Sequence, residues 1–218
     1  MSRAGSEIED RPRWHGSTAG ERSAQRRRRL LDAGFRLLGG EGAAAVSVRA
    51  VARNSGLSPR YFYESFPDRD ALLLAVWDDQ YANVGARVEA AIAEAPPDFP
   101  ARMRAALDAA AAWLEEDPMR SRAMLLETIA EARLRMHARR RLPELVLQTA
   151  MASVGGHALD DVTPKKLSVT VTAASGAIVN LFLEWASDGL DVTRRELVDS
   201  VLEVVSAIMA TALTTSRP

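Results

Sequence analysis

Residues Ser58-Pro59-Arg60-Tyr61-Phe62-Tyr63-Glu64-Ser65-Phe66 put one arginine and two tyrosines on a segment about two helical turns long. Phe62 and Phe66 are four apart and share one helix face, leaving Arg60, Tyr61, Tyr63 and Ser65 mostly on the other. A helix presenting such groups suits the major groove of a nucleic acid duplex. There Arg60 can donate two hydrogen bonds to guanine O6 and N7, a pairing that discriminates between bases by about 1–3 kcal/mol. The Ser47 and Ser58 hydroxyls, Arg49, the Tyr63 hydroxyl, Arg69 and the N–H groups opening the helices at Ser47 and Ser58-Pro59 suit phosphate contacts that set the register. Taken alone, the segment also fits a plain surface helix in which a Ser-Pro start and two tyrosines merely pack.

Other sites of chemistry are scarce. The chain has no cysteine and three histidines, which excludes disulfides, thiolate zinc sites, iron–sulfur clusters and cysteine nucleophiles. No G-x-x-x-x-G-K phosphate loop, G-x-S-x-G elbow or H-E-x-x-H zinc helix occurs, so the reading is a protein that is not an enzyme and needs no metal or cofactor. His137 and His157 stand alone, without the paired spacing of a metal site. Arg133, Arg135, Arg139, Arg140 and Arg141 form a basic stretch that fits a solvated face or an anionic ligand. Met103, Leu107, Trp113, Met124, Ile129 and Phe182 are the candidate lining of a small-molecule pocket, because aromatic rings and adaptable methionines favour apolar cavities. Ordinary core packing explains the same spacing.

The elements that must position these groups read as helices throughout. No stretch of alternating β-branched residues lies between hairpin turns, so the fold class is all-α. Residues 1–22 mix Gly, Ser, Pro and both charge signs and read as a flexible N-terminal arm. A first helix is expected from about Ser23 to Gly39, with arginines 26 to 29 near its positive end, where a bound phosphate would relieve their repulsion. Short helices follow from Ser47 to Asn54 and from Ser58, joined by a turn through Gly56. A longer one runs from Asp68 towards Pro96-Pro97, and the next from Asp98 to Glu116. Asp117-Pro118 opens a further run, interrupted at Pro143 and ended by Gly155-Gly156. Thr163-Pro164 starts another, and Thr193-Arg-Arg-Glu196 has capping-box spacing for the last.

A chain of 218 residues suits two domains, here 23–75 and 76–218. Charge divides the same way: residues 1–69 carry 13 arginines against 8 acidic residues, whereas residues 70–218 are net acidic. The basic end is where a polyanion would bind. No apolar run of about 18–20 residues is evident for spanning a bilayer, and the start lacks a signal-like apolar stretch, so a cytoplasmic protein without membrane partners is expected.

Residues 24 to about 75 resemble the N-terminal DNA-binding domain of TetR-family transcriptional regulators. Gly42, the run from Ser47 to Pro59, Phe62-Tyr63-Glu64-Ser65-Phe66 and Arg69 through Leu72 carry the likeness. Ser65 stands where the family often has His, Phe62 where Leu is common, and Arg69 where a Lys usually meets phosphate. The resemblance implies an N-terminal three-helix helix-turn-helix domain followed by a C-terminal helical ligand-binding and dimerisation domain. It implies a ligand-responsive regulator, most often a repressor, binding a palindromic operator in double-stranded DNA under control of an unknown small-molecule effector. The homodimer would form through helices 163–187 and 193–213. Small residues at Ala173, Ala174, Gly176 and Ala177 fit such a bundle, and fit monomer core equally well. An architectural or partner-binding helical DNA-binding protein without an effector is the alternative. On either reading Arg69→Ala would weaken every DNA sequence alike and flatten the salt dependence.

Overall fold

Thr18 and Glu21 cap each other: the Thr18 hydroxyl accepts from the Glu21 N–H at 3.1 Å, and the Thr18 N–H donates to the Glu21 carboxylate at 2.6 Å. They open α1 (Ala19–Glu41), so this helix starts ahead of Ser23 and takes the end of the expected arm into its first turn. The computed structural model describes residues 18–154 and 162–214. The earlier part of the arm, Gly155-Gly156 and His157 lie outside the described residues.

After a short 3-10 turn at Ala43–Ala45 come α2 (Val48–Ser55), α3 (Pro59–Ser65), α4 (Arg69–Glu94) and α5 (Phe99–Glu115). Then follow α6 (Pro118–Ser121), a π turn at Arg122–Leu126, α7 (Glu127–Ala130), α8 (Ala132–Val154), α9 (Pro164–Ala186) and α10 (Arg194–Thr214). Among the described residues there is no strand, and the all-α reading holds. Short polar side chains start most of these helices. Asp68 accepts from Ala71 N–H at 2.7 Å, Asp98 from Ala101 at 2.9 Å and Asp117 from Met119 at 2.9 Å, while Thr193 and Glu196 form the second reciprocal cap.

Two expectations are corrected. Pro143 does not interrupt its helix; α8 runs through it, and the chain breaks instead at Glu131, whose backbone is extended between α7 and α8. A proline orphans the carbonyl four residues back, here that of Arg139, a residue exposed at the surface. The second concerns α9, which by length and composition is long and apolar enough to cross a membrane. Its threonines, serines and asparagine mask that character in the sequence. Helices of soluble cores and interfaces meet the same test, and here only 28% of the most apolar window is buried.

Packing gathers around α4. Its first half, with Leu72, Leu73, Val76 and Trp77, joins Leu30, Leu38, Val51 and Phe62 in one core that also takes in Ala123, Leu134 and Ala138. Its far half packs Val88 and Ile92 on Ala106 of α5. A second core joins α5, α9 and α10 through Met103, Trp113, Phe182, Leu197 and Val201. Arg87 of α4 and Arg120 of α6 both bind the Glu116 carboxylate that ends α5, holding its pKa down to about 2 against a usual 4.5. Stability from that pair is therefore present above the usual value and is lost as pH falls towards the lowered one.

Between α1 and the α6–α7 segment the backbones come very close. A Cβ on Gly39 would lie 2.6 Å from both the Met119 Cβ and its carbonyl oxygen, so only glycine fits. Beside this contact the Glu127 carboxylate accepts from the Ala43 N–H at 2.8 Å and faces Arg122 at 3.5 Å, while Arg122 donates to the Gly40 carbonyl at 3.1 Å. Replacing Glu127 by Ala would leave the Ala43 N–H without its acceptor. The expected cost is about 1–3 kcal/mol in urea unfolding, with a smaller loss for Glu127→Gln, which keeps an acceptor oxygen.

Candidate nucleic-acid interface and ligand cavity

The turn between α2 and α3 is built locally. Ser47 caps α2 by accepting from the Ala50 N–H at 3.2 Å. Gly56 ends α2 at φ 64°, a left-handed conformation that favours glycine, and its N–H returns to the Ala52 and Arg53 carbonyls. Leu57 N–H bonds the Ala52 carbonyl at 3.0 Å and completes the stop. Pro59 then occupies the first turn of α3, where no N–H is needed, and the Ser58 hydroxyl makes no capping bond.

The faces of α3 separate as the four-residue spacing of its phenylalanines requires. Phe62 is 0% exposed and Phe66 is buried with it, their ring centroids 5.8 Å apart. Outward, Tyr63 is 60% exposed, and the Arg60 side chain is 85% exposed with a Glu64 partner at 3.1 Å. An exposed i,i+4 pair of this kind contributes only a few tenths of a kcal/mol and releases its arginine easily. Ser47, Arg49, Ser58 and Pro59 are also exposed, and Ser65 is half-buried. Tyr61 is 37% exposed, with the Arg26 guanidinium 4.7 Å from its ring centroid.

Arg69 does not join this surface. Its Nε donates to the Val46 carbonyl at 2.8 Å and its Nη2 to Ala43 at 2.7 Å, while Asp70 and Glu131 lie at 3.1 and 3.5 Å. The guanidinium thus ties the start of α4 to the 3-10 turn and to the α7–α8 junction, contacts that compete with the phosphate role expected of it. Arginines 26 to 29 are engaged in the same way. Arg27 covers the Phe66 ring at 4.6 Å, and Arg29 donates to the Ser55 carbonyl at 2.6 Å. Arg28 bonds Asp79 of α4 and Asp32, and the Asp79 bond raises its pKa most. Because α1 begins at Ala19, these four lie well past its positive end and brace the helices behind them. Nothing in their spacing foretold which partner each would take.

The candidate pocket residues divide between two neighbouring cavities. Trp113, Met124, Ile129 and Phe182 line one of about 140 Å3, with Ile129 also partly exposed. Met103 and Leu107 line its neighbour of about 80 Å3. The first cavity also uses Trp77, Tyr81 and Thr128, which the sequence reading did not single out, although Trp77 and Tyr81 share a helix face at four-residue spacing. Trp77 Nε1 donates to the Thr128 hydroxyl at 3.1 Å, and the Tyr81 hydroxyl donates to the Arg141 carbonyl at 2.9 Å. Burial raises the Tyr81 pKa. A larger hollow of about 1050 Å3 lies between α5 and α10, but it is open, and Arg104 and Arg194 on its walls are paired with Asp199, Asp108 and Glu115. His137 hydrogen-bonds Asp78 at 2.7 Å and meets the Trp77 ring edge-on.

Comparison with known proteins bears most directly on the N-terminal helices. The family model for bacterial regulatory proteins of the tetR family matches residues 30–76. Over 70 residues the chain is 36% identical to the HTH-type transcriptional regulator BetI of Brucella canis, covering 32% of this chain and 35% of that protein. The match thus spans about a third of the length of that relative. A tetR-family transcriptional regulator from Streptomyces coelicolor superposes with a TM-score of 0.66 at 18% identity, covering 88% of this chain and 83% of the other. The regulator FadR from Bacillus subtilis, solved in complex with stearoyl-CoA, does so with 0.61 at 16% identity, covering 82% and 96%.

Removing the Arg69 guanidinium would leave the Val46 carbonyl and the Glu131 carboxylate without this partner, while the Ala43 carbonyl keeps the Val46 N–H at 3.1 Å. Arg69→Ala is therefore expected to lower the unfolding free energy by about 1–3 kcal/mol. A urea titration followed by circular dichroism checks this, and an unshifted midpoint would return Arg69 to a surface role.

Proposed function

We propose that this chain, whose residues 30–76 match the family model for bacterial regulatory proteins of the tetR family, is a ligand-responsive transcriptional repressor of that family that binds a palindromic operator as a homodimer. The observation that carries the reading is the outward face of α3, where Arg60 and Tyr63 stand exposed above a buried phenylalanine pair. Arg60 would read guanine in the major groove, and Tyr61, Tyr63 and Ser65 would contact adjoining bases or backbone. Ser47, Arg49, Ser58 and Pro59 would lie along the phosphates. The domain division is read as 23–75 for DNA and 76–218 for effector and dimer.

The pairing surface would be the open side of α9 and α10. Val169, Ala173, Gly176 and Asn180 form an exposed stripe on α9, and Ser200, Val204, Ala207 and Thr211 form one on α10, both at helical spacing. Space opposite Gly176 is open for a neighbouring helix. A four-helix bundle made of these two helices and their copies would cover the apolar window of α9 and set two α3 helices a fixed distance apart. The effector would occupy the cavity beside Trp77 and Met124 and act by favouring one of two dimer geometries, which requires unequal affinity for the two. The stearoyl-CoA complex of the FadR neighbour is in keeping with an effector role for the second domain.

Selection of bound duplexes from a random pool, followed by titration at several salt concentrations, tests the whole reading. A specific-to-random affinity ratio of about 10³ or more with a steep salt slope is the expected outcome, whereas an architectural protein would show the slope without the ratio. Arg60→Ala is expected to relax preference at one base position in each half-site, at a cost of about 1–3 kcal/mol there. Equal loss on every sequence would remove Arg60 from the reading role.

A further inference from the structure

Three hollows follow one another along α4. The inner one, of about 140 Å3, lies against Trp77 and Tyr81; the middle one, of about 80 Å3, against Val88 and Met103. The outer one, of about 330 Å3, lies between Val88–Ala93 of α4 and Leu145–Ala152 of α8. Inner and middle share Ala110, Leu145 and Ile178 as walls, and middle and outer share Val88, Leu145 and Thr149. Leu145 borders all three and is only half-buried, so its rotamer governs whether they join. The room in the middle comes from Ala106 and Ala110, where α5 presents methyl groups.

From this geometry we infer that the system receives a straight-chain aliphatic ligand carrying a polar end group, lying parallel to α4. This deepens, and rests on, the ligand-responsive reading above. The distance from Trp77 to Ile92 is fifteen residues of one helix, about 22 Å, which is long for a compact ring system and suited to an extended alkyl chain. The narrow middle admits a chain and obstructs fused rings. Side chains along the inner and middle hollows are almost all hydrocarbon, and polar ones gather at the outer end, where Glu89, Gln148 and Thr149 stand. The terminal methyl comes to rest by Trp77 and Thr128, one residue from the Glu127 carboxylate that holds Ala43 of the DNA-binding half. Chain length is thus the variable that decides whether the ligand presses on that link.

The test titrates the full chain with straight-chain alcohols from hexanol to octadecanol, each below its aggregation threshold, following the fluorescence of Trp77 and Trp113 in the inner hollow. Affinity should climb about fourfold per added methylene until the track is full and then level off. Decanol should bind at least tenfold more tightly than adamantanol, which has the same number of carbons. Ala110→Leu, or Ala110→Val if the larger side chain abolishes the circular dichroism of the fold, should move the levelling point to shorter chains. Affinity independent of length, adamantanol binding as tightly as decanol, or an unchanged series in the folded variant overturns the inference. Any of these with operator binding intact leaves the regulator reading standing. Tight, length-dependent binding that leaves operator affinity unchanged instead overturns the ligand-responsive reading and supports the chain-binding cavity.

Discussion

A helix of seven residues does not persist in water on its own, so α3 exists only because Phe62 and Phe66 are buried beneath α1. Each fully buried phenylalanine contributes about 1.5–3 kcal/mol of transfer free energy, enough to offset the ordering of so short a segment. That same burial decides orientation: with one face held inside, Arg60 and Tyr63 face outward. Arg26 over Tyr61 and Arg27 over Phe66 brace the rings from α1, so the outward face is set by packing and by cation–π contacts behind it.

The second dependency runs through α4. One end of it completes the core beneath α3, and the other packs on α5. Trp77 sits where the two meet, belonging to the first core and lining the inner cavity at once. Its hydrogen bond to Thr128 and the adjacent bond from Ala43 to Glu127 make a short polar chain from the cavity wall to the turn before α2. A π turn immediately precedes these residues, and irregular turns of that kind recur where a helix must adapt at a functional site. The cavity wall and the packing of the α1–α3 unit therefore share side chains.

Much of the chain was legible in advance because its punctuation is local. Ser47, Gly56, Asp68, Asp98, Thr163 and Thr193 act on backbone groups within about four residues, and the structure uses each as a cap or stop. Thr18 and Glu21 obey the same rule and were passed over only because the apolar period begins later. Pro143 was misread because the cost of a helical proline depends on whether the orphaned carbonyl reaches water, which position in the fold decides.

Residue types and their spacing by themselves determined the all-α class, the two short helices around Gly56, and which side chains of α3 turn outward, since these follow from hydrogen-bond reach and helical period. Only the tertiary structure decided what the arginines bind. A guanidinium attracts any anion or carbonyl, so the number of arginines in the basic half could not distinguish phosphate from Asp79, Ser55 or Val46. The same holds for the cavity. Its walls come from α4, α5, α8 and α9 and from the turns between, and the space left where alanines meet leucines exists only once those helices have packed.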